Sequence, residues 1–102
     1  MQQTTLLTYK VKAEHIAEVK QAIVDFISAI EQFEDTIVSY ESYQDVYNDA
    51  SFIHFMVFPD EKGDEEHRNA PHTKKFITFV TARCIEAPVF TKLILVRSKS
   101  DY

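Results

Sequence analysis

Ser51 to Phe58 reads SFIHFMVF, and its alternation decides the architecture. Phe52, His54, Met56 and Phe58 fall on one face of a strand, and Ile53, Phe55 and Val57 on the other. Both faces are apolar, so the strand needs a packing layer on each side. Immediately upstream, Tyr47, Asn48, Asp49 and Ala50 suit a turn, and Thr36 to Val46 is rich in β-branched and aromatic residues, which predicts a hairpin. Further back, Ala13 to Glu34 places Ile16, Val19, Ile23, Phe26, Ile27, Ile30 and Phe33 on one helical stripe, with Lys20, Gln21, Asp25 and Glu31 on the solvated side. Thr4 to Lys12 alternates as a first strand, with Leu7, Tyr9 and Val11 on one face. Downstream of Pro59, Asp60 to Arg68 reads as a short helix, and Pro71 opens another because its fixed φ suits a first turn. Phe76, Phe79, Val80, Arg83 and Cys84 continue that stripe, Pro88 ends it, and Val89 to Ser98 forms the last strand.

The order is strand, helix, strand, strand, broken helix, strand. It predicts an α+β, ferredoxin-like βαββαβ unit with an antiparallel sheet and helices on one face. The uncovered apolar face calls for a second subunit, packed sheet against sheet into a dimeric α+β barrel. Residues 1–102 read as a single domain, with loose ends at the first three residues and at Lys99 to Tyr102.

Composition narrows the function classes. The chain has 102 residues, of which 45% are hydrophobic, enough apolar surface to offset chain entropy and fold. Its net charge of -5 opposes the phosphate neutralisation that drives nucleic-acid binding, so nucleic acid is not expected as a partner. No uncharged apolar run, the Phe76 to Ala82 stretch included, approaches the ~20 residues that span a bilayer. The start, MQQTTLLTYKVK, lacks the pattern of a secretion signal, and a cytoplasmic protein without membrane contact is expected. Cys84, the only cysteine, excludes an internal disulfide or a multi-cysteine zinc site and reads as a small buried hydrophobe on a helix. Gly63 is the only glycine, so no glycine-rich phosphate loop exists.

Between the aromatic strand and the last helix runs DEKGDEEHRNAPH, Asp60 to His72. With SYESYQD at Ser39 to Asp45, the aromatic strand, and then Asp60, His67, Pro71, His72 and Phe76 in order, the chain resembles the antibiotic biosynthesis monooxygenase family of dimeric α+β barrels. Many members end the aromatic strand in glutamate, a basic residue and tryptophan, where this chain has Met56, Val57 and Phe58. Haem-degrading relatives carry a tryptophan, a later histidine and a strand-one asparagine. This chain has no tryptophan and no strand-one asparagine, and Ile77 stands five residues after His72, so haem degradation is disfavoured. The resemblance implies oxidation of a phenolic or quinol-like substrate by molecular oxygen, with no metal or flavin cofactor.

That chemistry needs a dry aromatic pocket and a base, because a phenolate reacts with oxygen more readily than a phenol does. Histidine suits the role with an unperturbed pKa of about 6.5. His72 is the first candidate base, set against a structural reading as a helix-start residue bonded to backbone or a carboxylate. His54, on the strand face of Phe52 and Met56, is the second catalytic candidate; it lines the cavity or lies at the dimer interface. Tyr40, Met56, Phe58, His67 and Phe76 are candidates for substrate contact. His67, behind Asp64, Glu65 and Glu66, reads either as such a contact or as solvated surface. Tyr43 falls on the face opposite Tyr40. His67 and His72 are five apart, whereas helical metal ligands usually stand three or four apart, so no metal site is assigned. The main alternative is a non-catalytic small-molecule binding or stress-response protein on the same barrel, favoured by Met56 where relatives carry an acid.

Overall fold

The computed structural model describes residues 1–99. Strands β1 (Gln3–Val11), β2 (Ser39–Gln44), β3 (Ser51–Phe58) and β4 (Cys84–Leu93) form one antiparallel sheet in the order β2-β3-β1-β4. Helices α1 (Ile16–Phe33, after a short 3-10 turn at Ala13–His15), α2 (Glu61–Asn69) and α3 (Pro71–Thr81) complete the expected βαββαβ order.

The core lies between one sheet face and the helices. Leu7, Tyr9 and Val11 of β1 and Phe52, Met56 and Phe58 of β3 pack with Val19, Ile23, Phe26 and Ile30 of α1 and Phe76 and Val80 of α3. Period two in the strands and three-to-four in the helices bring these side chains together. Phe26 and Phe76 stack at 4.3 Å with an interplanar angle of 6°, which fixes α1 against α3. Truncating Phe76 to alanine should cost about 3–5 kcal/mol, the usual cost of emptying a buried aromatic site. The other face carries Leu6, Ile53 and Val57, only half-buried, and Val89, which is exposed.

The largest departures from the sequence expectation lie at the last helix and the last strand. The last helix ends at Thr81, and the last strand is Cys84–Leu93, not Val89 to Ser98. Cys84 therefore begins a strand and is not helical. Pro88 sits inside the strand because β4 is an edge strand. Its register against β1 shifts between Thr8↔Val89 and Lys10↔Glu86, so the missing N–H falls at an irregularity of the ladder. Phe33, expected on the core stripe, is 68% exposed. It is the last residue of α1 and lies against the His72 ring at 6.2 Å.

The segment that opens α2 is built for a sharp start. The Asp60 side chain accepts a hydrogen bond from the Gly63 amide at 2.8 Å, capping the helix. A Cβ on Gly63 would stand 3.1 Å from Cδ of Pro59, so glycine allows this close approach. The cap fixes the phase of α2, which turns Asp64 and His67, one turn apart, inward.

Candidate functional site

Three elements position two histidines around one carboxylate. Glu34, immediately after α1, accepts hydrogen bonds from Nδ1 of His67 on α2 at 2.9 and 3.0 Å, and its Oε2 also bonds Nε2 of His72 on α3. His67 is only 4% exposed, which corrects its reading as solvated surface: the capped phase of α2 turns it under Tyr40, Phe26 and Phe58, ring centroids 5.3 to 5.9 Å away. Burial holds its pKa below the usual histidine value, with Glu34 pulling weakly the other way. His67 is therefore neutral near pH 7. With Nδ1–H donated to Glu34, its Nε2 is left as an unprotonated acceptor.

A second cluster lies deeper. His54 is fully buried on β3, with the Tyr9 hydroxyl 2.8 Å from Nε2 and the Tyr40 hydroxyl 2.7 Å from Nδ1. Burial lowers the His54 pKa to about 3, with a small further push from His67, and raises both tyrosines. Neither tyrosine hydroxyl has another hydrogen-bond partner among the described residues, so a neutral His54 donates to one of them and accepts from the other.

A cavity of about 480 Å³ opens between the sheet face and helices α2 and α3, a size that suits a small-molecule ligand. Leu7, Phe26, Met56, Ile77 and Phe90 give it apolar walls, and Tyr40, His67 and Thr73 supply polar groups. Of the sequence candidates, Tyr40, Met56 and His67 line this cavity. His54 and Phe58 are buried behind it, with Phe58 against the His67 ring. His72 and Phe76 instead border a separate groove between α1 and α3, and His72 also borders a shallow site beside Glu34 and Pro71.

Glu34, Asp64, Thr5 and Tyr9 escaped the sequence reading as site residues. Glu34 is four residues past Ile30, in phase with the buried stripe, and Asp64 is one turn before His67; those were the available signals. Among the described residues no group of three or more histidine, cysteine or acidic side chains is arranged to hold a metal ion. No helix among them is long and apolar enough to cross a membrane.

The family model for antibiotic biosynthesis monooxygenases matches residues 3–78, about three quarters of the chain and all of the elements that build the two clusters. The chain belongs to the antibiotic biosynthesis monooxygenase family. No curated protein sequence matches it. Solved structures do share its fold. One is a crystal structure of an antibiotic biosynthesis monooxygenase, 15% identical with a TM-score of 0.86, aligned over 95% of this chain and 100% of that one. A Mycobacterium tuberculosis protein is 16% identical with a TM-score of 0.86, over 98% and 100% of the two chains. A conserved protein from Methanosarcina mazei is 16% identical with a TM-score of 0.83, over 91% of each. At these identities the likeness is one of fold. In this family member the cavity, the Glu34–His67–His72 cluster and the Tyr9–His54–Tyr40 chain are features of the present sequence.

Proposed function

We propose that the protein is a cytoplasmic, homodimeric monooxygenase that oxidises a small phenolic or quinol-type aromatic with molecular oxygen and without a metal or flavin. The single observation that carries this reading is a neutral, Glu34-oriented His67 on the wall of an apolar cavity. A phenol in the cavity would pass its proton to Nε2 of His67, and Glu34 would stabilise the resulting imidazolium. The electron-rich anion would reduce oxygen, bond it at a ring carbon that carries a hydrogen, and take the proton back from the His67 imidazolium to give a hydroperoxide. Loss of water would leave the carbonyl, with one oxygen atom in the product and the other in water, so the substrate itself supplies the electrons. The Tyr40 hydroxyl, oriented by His54, would hold a substrate oxygen.

His67 replaces His72 as the preferred base because His72 faces Glu34 from outside the cavity. The half-buried apolar face with Leu6, Ile53 and Val57 supports a second copy packed sheet to sheet, and light scattering should find a dimer at micromolar concentration. A monomer would remove that part of the proposal. Met56, lining the cavity where many relatives carry a carboxylate, favours the second reading, a binding protein without turnover. Oxygen uptake by metal-stripped protein against dihydroxynaphthalenes, anthrones and catechols separates the two. Uptake that disappears in His67→Gln supports the enzyme. Thermal stabilisation by the same compounds without uptake supports the binding protein.

A further inference from the structure

Three side-chain atoms among the described residues are buried without a hydrogen-bond partner, and two of them belong to residues of the same cavity: Oγ1 of Thr5 and Oδ2 of Asp64. Such orphans are uncommon in folded proteins, because each gives up the solvation it would have in water. Thr5 is 5% exposed on β1 and Asp64 3% exposed on α2, so they approach the space from the sheet and from the helix layer. Asp64 Oδ1 accepts from Arg68 Nε at 3.2 Å, while Oδ2 lies 3.4 Å from Lys92 Nζ. The latter is an ion-pair distance without hydrogen-bond geometry, so Oδ2 is left without a hydrogen-bond donor. A carboxylate oxygen only accepts, whereas a threonine hydroxyl can do either.

The exposed charges of the cavity have one sign. Arg68, Lys74 and Lys92 line it as exposed side chains, and Asp64, its one carboxylate, is buried. Three cations against one anion leave a local surplus of two in a chain whose net charge is -5. Arg68 meets Asp64 through Nε, leaving its terminal nitrogens as a fork for a carboxylate, and Lys74 makes no ion pair among the described residues.

We infer that the cavity takes a hydroxyarene carrying an acidic group: a ring hydroxyl other than the one that passes its proton to His67 donates to Asp64 Oδ2, Thr5 Oγ1 bonds the same hydroxyl or a further ring oxygen, and a carboxylate faces Lys74 and Arg68. This deepens the proposed function and rests on its assignment of the cavity as the substrate site. It adds a substrate class and two anchoring residues.

Calorimetric titration with a hydroxynaphthoate bearing its hydroxyl and carboxylate on opposite rings tests it, with naphthoate, naphthol and the hydroxynaphthoate methyl ester as controls. The hydroxy acid should bind at least ~10-fold tighter than each control, because each deletion removes one charge-assisted contact. Lys74→Glu should weaken the hydroxy acid ~5–10-fold and leave naphthol unchanged. Thr5→Val, isosteric and without charge, should weaken the hydroxyl-bearing probes ~2–10-fold and leave naphthoate unchanged. Equal affinity for acid and ester, indifference to both substitutions, or no binding by any probe would overturn the inference. Oxygen consumption followed in the same samples keeps the two readings apart. The expected binding pattern without oxygen uptake retains this inference and removes the monooxygenase reading. Turnover of a neutral phenol at the kcat/KM of its acid, untouched by Lys74→Glu, does the reverse.

Discussion

The two histidine clusters share a sheet face and several aromatic neighbours, yet they differ in one ingredient. His54 is buried between two hydroxyls with no carboxylate bonded to it, so nothing opposes desolvation, His67 adds to it, and its pKa falls to about 3. His67 is buried to nearly the same degree, but Glu34 opposes part of the desolvation and fixes which ring nitrogen carries the proton. The first arrangement can only orient hydrogen bonds across the ordinary pH range. The second can accept a proton and stabilise the charge that results. Burial makes a histidine neutral; a partnered carboxylate makes a neutral histidine useful as a base.

The largest effect that could break this contrast is on turnover. His67→Gln should lower oxygen uptake ~100-fold or more, the usual contribution of a positioned base. His54→Gln should lower it far less, and an equal loss at both positions would erase the distinction. Stability should respond in the opposite order. His54→Phe leaves two buried tyrosine hydroxyls unpaired and should cost about 2–4 kcal/mol in denaturant unfolding, against a smaller cost for His72→Ala at a half-buried site. If both variants unfold at the same denaturant concentration, the hydroxyls have found other partners.

The pH dependence sharpens the comparison further. Unfolded His54 takes up its proton near pH 6.5 and folded His54 near pH 3. Between those values the unfolded chain binds more protons, so stability should fall as pH drops from 6.5 to 3, by on the order of 4 kcal/mol from this residue, and stay unaffected by it above 6.5. His54→Phe should flatten that part of the stability curve, whereas an unchanged slope would mean that His54 titrates normally. The smallest effect concerns His72: its ring meets Glu34 from outside the cavity, and His72→Ala should reduce oxygen uptake only ~3–10-fold, chiefly by loosening Glu34. A loss as large as that of His67→Gln would return His72 to the role of base.

Much of the fold was legible locally. The alternation in SFIHFMVF matches β3 residue for residue, Pro71 opens α3, and Asp60 caps α2. The last strand was misread because Pro88 looked like a helix terminator, and only its place on an edge strand beside a register shift lets it sit within β4. Tyr40 and Met56 reached the cavity through strand periodicity, which sets the face a side chain points to. His67 could be read as solvated because its sequence neighbours are charged, although Glu65, Glu66 and Arg68 occupy the outer side of the same helix and only Asp64 turns inward with it.

By itself the sequence determined the element types and order, the apolar faces, the family and the set of histidines, since each depends on residues within a turn or a strand of one another. Tertiary structure alone decided that Glu34 would meet histidines 33 and 38 residues away, that Tyr9 would reach His54, and that Thr5 Oγ1 and Asp64 Oδ2 would be buried in residues of one cavity without a hydrogen bond. Those pairings are set by how α1 ends over the sheet and how α2 is capped, and no local periodicity records a distance between elements.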